Sequence, residues 1–226
     1  MPNPLNCVAS YFPRCYQDDQ NINECFINAA NSLNQYVRSG IPEIGLRLLD
    51  PFVSPEFNVT VESPITDFYA SLKGFALHRL YNYRFKSADV RPQDGAIAGN
   101  VIFPDLAITS DYAVQGHVIN LQFNGRGYVD VENENAVCDF IISDWPKARN
   151  CNEIKLKVDC KVEDLKVNIT GLENGEAMNS LLNLSSKLVA SEISPGYSSV
   201  FEVLLKVFLR RLCRKYQFKD LFPPSS

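Results

Sequence analysis

The sequence predicts an α+β fold: a strongly curved antiparallel β-sheet wrapped around a long, kinked C-terminal helix, with an amphipathic helix at the N-terminus. Three observations carry that reading. Apolar residues recur at every second position from about Phe57 to Ile169. They return to helical spacing from Ala177 to Tyr216, and there they cover most of the helix circumference.

After Asp18-Asp19, the apolar positions Ile22, Phe26, Ala29, Leu33 and Tyr36/Val37 keep helical spacing. Asn21 with Glu24 three residues later reads as a capping box, and Gly40 before Pro42 ends a helix of about four turns. One face of this helix is expected to be buried. The sheet is clearest at Ile154, Leu156, Val158, Cys160 and Val162, which alternate with Lys155, Lys157, Asp159 and Lys161. A strand with one dry and one wet face belongs to an antiparallel sheet. Similar alternation occurs at Leu106/Ile108, Tyr112/Val114, Ile119/Leu121/Phe123 and Val129/Val131. Turn signals at Gln115-Gly116, Asn124-Gly125-Arg126-Gly127 and Trp145-Pro146 separate the runs.

The C-terminal segment has one interruption, Pro195-Gly196, expected to kink or briefly break it. Beyond it, Val200, Phe201, Val203, Leu204, Leu205, Val207, Phe208, Leu209 and Leu212 leave little of the circumference polar. Such a helix must be buried on most sides, and a sheet with one dry face must cover something. Wrapping the sheet about the helix satisfies both. No linker, low-complexity tract or repeat divides the chain, so residues 1–226 read as one domain, with 1–11 a flexible arm and 224–226 a tail. A helix fills a tube poorly at its ends and kinks, so apolar space for a ligand is expected there.

Composition narrows the function classes. A net charge of −4 offers no basic stripe to neutralise phosphates, which argues against nucleic acid. Arg210-Arg211 to Lys215 reads as a solvated helix end. No apolar run reaches membrane-spanning length. Met1-Pro2-Asn3-Pro4 lacks the apolar core of a signal peptide, so for a secreted chain either the signal is expected to have been removed ahead of this start or the start is not the natural one. Seven cysteines suggest an oxidising compartment. Glycosylation sequons begin at Asn58, Asn168 and Asn183; in the strand reading the first two project to the wet face, where a glycan can be carried. Cys138 and Cys160 flank the Trp145-Pro146 loop symmetrically, which allows a bond across a hairpin; reduced, buried thiols are the alternative.

Several short blocks then carry a resemblance. Phe12-Pro13-Arg14-Cys15, Asn23-Glu24-Cys25-Phe26, Gly40-Ile41-Pro42-Glu43-Ile44-Gly45 and Leu49-Asp50-Pro51-Phe52 are similar to the insect haemolymph juvenile hormone-binding and takeout-like family. Tyr112 with Gly116, the Asn124–Gly127 stretch and Leu221-Phe222-Pro223 support it, so the likeness runs from about residue 12 to 223. The resemblance implies the helix-in-sheet fold read above, and an extracellular carrier for juvenile hormone-like terpenoids, fatty acyl chains or isoprenoids. It also implies a Cys15–Cys25 disulfide, whose ten-residue loop corresponds to roughly 2–3 kcal/mol in the chain-entropy model. The chain departs from the family at Gly171-Leu172-Glu173-Asn174-Gly175 and at Arg47 and Leu48.

Residues for catalysis are missing. His78 and His117 have no Asp, Cys or Glu at ligand spacing, and Gly196-Tyr197-Ser198-Ser199 lacks the second glycine of a nucleophile elbow. No Cys-x-x-Cys pair or phosphate-binding glycine loop occurs, so neither a metal nor a cofactor is expected. Candidate pocket residues are Phe26, Leu33 and Val37 on the first helix, Phe201, Leu204, Leu205 and Phe208 on the last, and Tyr112, Phe123 and Tyr128 on the sheet. Plain core packing competes for each. The expected partner is one small hydrophobic molecule held by a monomer, with a Tyr hydroxyl orienting its polar head and the first helix shifting to admit it. The alternative is a secreted protein of the same fold with a vestigial pocket, acting through its surface on a receptor in feeding, chemosensory or circadian physiology.

Overall fold

A computed structural model describes residues 11, 14–119, 121–145, 150–172 and 175–225. Helix α1 (Ile22–Ser32) comes first and is continued by a tight turn at Leu33–Tyr36. The strands are β1 (Phe52–Glu62), β2 (Asp67–His78), β3 (Arg84–Arg91), β4 (Ala96–Val118), β5 (Leu121–Gln122), β6 (Gly125–Ser143) and β7 (Lys155–Ile169). Helices α2 (Gly175–Leu184), α3 (Ser186–Lys215) and α4 (Phe218–Leu221) follow. Most of the expected arm, with Cys7, and also Pro146 and Ser226 lie outside the described residues.

All pairings are antiparallel, in the order β1-β2-β4-β6-β7, with β3 and β5 also on β4. The ends, β1 and β7, do not pair with each other, so the sheet is curved but open. Helix α3 packs against both of them and occupies the seam. Gly196 lies so near β1 that a Cβ there would come within 3.1 Å of Val59 Cγ1, and the Ser63 hydroxyl donates to the Glu192 carboxylate. The helix-in-sheet fold class stands.

The outer edge of β7 would leave buried amides without partners if nothing covered it. Helix side chains cover it. The Cys160 N–H donates to Ser198 Oγ (2.8 Å) and the Val162 N–H to Ser194 Oγ (3.0 Å). Further along, Asn183 accepts from Val167 N–H (2.9 Å) and donates to Val167 O (2.8 Å), and Asn179 repeats the exchange with Ile169 at 2.8 and 2.9 Å. The two lattices match: four helical residues rise about 6 Å and two strand residues about 6.6 Å. Asparagines of α1 do the same for β3. Asn31 accepts from Phe85 N–H (2.8 Å) and donates to Phe85 O (3.2 Å), while Val90 N–H donates to Asn23 Oδ1 (2.8 Å).

The inward set of β4 runs Ile97, Val101, Phe103 and then shifts phase to Leu106, Ile108, Ser110. Strand β6 shifts between Asn133 and Ala136, and β7 between Val162 and Leu165. Asp105 pairs with Glu134, and Glu134 with Asp164, so the three shifts lie in line across the sheet. One line of twist divides the tube into two halves.

Several local expectations are corrected. The Asn21–Glu24 capping box does not form; the Asn21 N–H instead donates to Asp19 Oδ1 (2.8 Å). Pro195 does not interrupt α3, because it sits on the exposed side, where the carbonyl it leaves unpaired can meet water. The break falls at Ser185, between α2 and α3. Burial of α3 is incomplete, with Leu188 (41%) and Val203 (42%) exposed. Gln115-Gly116 is strand, and so are Gly125 to Gly127; β5 already pairs back on β4, with Gln122 opposite His117 and Leu121 opposite Val118, so the chain has reversed before Leu121. Those glycines answer close approach instead: a Cβ on Gly127 would sit 1.9 Å from Thr170 O, and one on Gly116 (φ 141°) 2.2 Å from Asp67 O. Asn183 is withdrawn as a glycan site, since Nδ2 already donates to Val167 O and Asn179 O (both 2.8 Å) and a glycan would displace one hydrogen.

Asn183→Ala leaves both polar groups of Val167 unmatched at the covered edge, and the expected loss is about 1–3 kcal/mol in urea unfolding. Asn168→Ala, on the wet face of the same strand, should change stability by no more than about 0.5 kcal/mol.

Candidate functional site

The strands of the sheet do not all reach both ends. Beside β3, the early part of β4, the late part of β6 and β7 form a four-stranded wall, because β1 and β2 pair with each other and with the later part of β4. Helix α1 stands on the open β3 side and α3 on the β7 side. Two helices span the gap less completely than strands would, and a cavity of about 450 Å³ remains between them.

Its wall is almost wholly apolar. Phe26, Ala29 and Ala30 come from α1, with Leu33 and Val37 just beyond it. Ile97, Val101 and Phe103 of β4 and Cys138, Phe140 and Ile142 of β6 form the floor. Phe201, Leu204, Leu205, Phe208 and Leu212 of α3 face them, and Leu221 and Phe222 close one side. Rings lock the wall together. Phe103 stacks on Phe201 at 4.3 Å, Phe85 meets Phe140 edge-on at 5.6 Å and Phe26 at 5.9 Å, and Phe26 lies 6.5 Å from Phe222. Exposed Arg14, Lys219 and Asp220 also line the space, which marks where it meets solvent.

Few polar groups are buried here. Burial pushes the Tyr83 hydroxyl well above the usual tyrosine range, so it stays protonated and donates to Ala30 O (2.7 Å). Trp145 lies in the wall, with its ring edge-on to Phe218 at 5.8 Å. Among the described residues no group of three or more His, Cys, Asp or Glu is placed to hold a metal ion.

Seven of the candidate pocket residues line this cavity: Phe26, Leu33, Val37, Phe201, Leu204, Leu205 and Phe208. Tyr112, Phe123 and Tyr128 do not, because they lie in the other half of the sheet. The Tyr112 hydroxyl donates to Thr170 O (2.8 Å), Phe123 packs edge-on against Phe68 at 6.1 Å, and Tyr128 points to solvent (44% exposed). The expected space beside Pro195-Gly196 is occupied by packing against Val59. Sequence reasoning missed Tyr83, Phe85, Phe103, Phe140 and Trp145. The alternation of β4 and β6 marks Phe103 and Phe140 as inward; their pairing register was needed to put them at the same end as α1.

Three disulfides brace this end: Cys15–Cys25, Cys138–Cys160 and Cys151–Cys213. The first two match the pairings considered from sequence. The third, across a separation of 62 residues, had no sequence signal and ties the β6–β7 connection to the last turn of α3.

Fold and cavity together define a helix-in-sheet protein with an internal apolar chamber. The haemolymph juvenile hormone binding protein family matches residues 5–223, and the chain belongs to that family. Takeout 1 of Epiphyas postvittana shares the fold, with a TM-score of 0.74 at 18% identity over 93% of this chain and 99% of that one. A lipopolysaccharide binding protein aligns with a TM-score of only 0.32 at 10% identity, over 81% of this chain and 38% of that one, a likeness too loose to carry an argument. No curated protein sequence matches this chain.

Truncations distinguish wall from chamber. Phe201→Ala removes a ring stacked on Phe103 and should cost about 3–5 kcal/mol in urea unfolding. Leu204→Ala only enlarges existing space and should cost about 2 kcal/mol or less. Equal losses would mean that the space is filled.

Proposed function

We propose that this chain is an extracellular, non-enzymatic carrier that encloses one small hydrophobic molecule in the cavity between α1 and α3. The observation that carries the reading is the cavity itself. Its volume of about 450 Å³ lies within the usual range of roughly 300–1,000 Å³ for ligand sites, and its wall is aromatic and aliphatic. Burying on the order of 300 Å² of ligand surface contributes roughly 7 kcal/mol before ordering costs. A terpenoid, fatty acyl or isoprenoid molecule fits such a wall, and family membership agrees with that class. Access runs past exposed Arg14 and Lys219, with α1 the part that moves.

The extracellular assignment draws on three disulfides and on two exposed sequon asparagines, Asn58 and Asn168. A second reading, action through the surface on a protein partner, draws on exposed Leu181, Leu184 and Leu188. The cavity favours the first.

Native mass spectrometry of protein secreted by insect cells tests the proposal. The expected result is one extractable apolar molecule per chain, held more weakly in Leu205→Trp, whose indole intrudes into the chamber, with glycans on Asn58 and Asn168 and none on Asn183. A chain that is empty and fails to take up a fluorescent fatty acid would favour the surface role.

A further inference from the structure

Between Glu202 and Asp220 the chain carries six lysines and arginines and no aspartate or glutamate. Lys206 of that set pairs with Glu202 on the preceding turn of α3. Arg210, Arg211, Arg214 and Lys215 differ: none of the four makes an ion pair among the described residues, and Glu173 is the only acidic side chain outside them. Their spacing puts all four on one side of the helix, as two pairs about 6 Å apart along its axis. Arg210, Arg214 and Lys215 are exposed, and Arg211 donates to Gly45 O. The acid beside them, Glu43, is already engaged, since the Tyr11 hydroxyl and, less strongly, Lys215 hold its carboxyl below the usual glutamate range. Cations at a helix C-terminus offset the dipole only within the last turn. That accounts for Arg214 and Lys215 but not for Arg210 and Arg211.

We propose that this side of α3 is a docking surface for a sulfated polysaccharide outside the cell. The choice of polysaccharide rests on the extracellular reading; the patch itself does not. Three of the four cations are arginines, whose planar fork meets two oxygens of an oxyanion at once, whereas lysine acts as a point charge. A polymer with closely spaced anions reaches both pairs together, and release of its counterions supplies the affinity. An anionic bilayer fits less well. Acidic phospholipid is concentrated on the cytoplasmic leaflet, and lying on a bilayer requires a broad apolar face beside the cations. On this side α3 offers only half-buried Val207 and exposed Val203. None of the four cations lines the chamber, but exposed Arg14 and Lys219 stand at its mouth, Lys219 one turn of sequence beyond Lys215. A polymer held on α3 therefore lies close to the route by which cargo leaves.

A heparin oligosaccharide and its desulfated, still carboxylated counterpart test the proposal on the full chain. The sulfated probe should bind and the desulfated one should not. Affinity should fall on the order of 100-fold between roughly 50 and 200 mM salt, as release of about four counterions requires. The double variant Arg210→Ala/Arg214→Ala should bind at least about tenfold more weakly. Lys161→Ala/Lys166→Ala, which removes the same charge from the exposed face of β7, should weaken binding by less than about threefold. No binding at low salt, or equal losses in the two double variants, overturns the docking surface. So does binding to phosphatidylcholine vesicles containing phosphatidylserine with none to heparin, which would make the patch a membrane contact. The comparison of sulfated with desulfated probe on the wild-type chain decides the matter even if Arg210→Ala/Arg214→Ala does not fold. Uptake of a fluorescent fatty acid is read separately, so failure of the docking surface leaves the carrier reading standing, and an empty chamber leaves the docking surface standing.

Discussion

A curved sheet that stops short of closing leaves two rows of backbone amides facing the interior side of its edges, and each unpaired group there destabilises the fold. This chain answers with side chains. Along β7, Ser198, Ser194, Asn183 and Asn179 stand where a neighbouring strand would be. On the β3 edge, Asn31 and Asn23 of α1 play the same part. Asparagine suits the task because its amide both donates and accepts, as one strand residue does, and serine suffices where only an N–H must be met. A helix can therefore lie in register along a strand, and α3 can fill the seam between β7 and β1 without a closed barrel.

The cavity follows from that substitution. Strands pack about 5 Å apart and helices 8–10 Å from their neighbours. The end of the tube bounded by α1 and α3 is therefore wider than the end bounded by strands. Aromatic contacts such as Phe103–Phe201 and Phe26–Phe85 hold the wider end open in a defined shape, and the Cys151–Cys213 bond anchors its cover. At the narrow end the same residue types only pack: Phe123 fills against Phe68 and Tyr112 bonds Thr170. The difference between a core aromatic and a chamber aromatic is thus set by which strands reach its level.

Period and composition made the fold class legible. Alternation in β7 and helical spacing after Ala177 required a sheet around a helix, and the positions of Phe26, Leu33 and Phe201 on their helices placed them inward. Less was visible in the sheet. The phase shifts at Asp105, Glu134 and Asp164 are present as breaks in alternation, but only strand register reveals that they coincide. Without that line Tyr112 and Phe103 look equivalent. Asn183 read as a sequon because spacing cannot report that its amide is already bonded to Val167. Trp145 read as a turn marker, since its burial depends on α4 folding back across it.

The most direct measurement is amide hydrogen exchange in β7. If helix side chains complete the edge, the amides of Cys160, Val162, Val167 and Ile169 should exchange as slowly as those of the central strand β4, because opening them requires α2 and α3 to leave. Rapid exchange at these four amides, with β4 protected, would contradict the account, because the seam would then be open to water and the chamber it bounds could not stay dry.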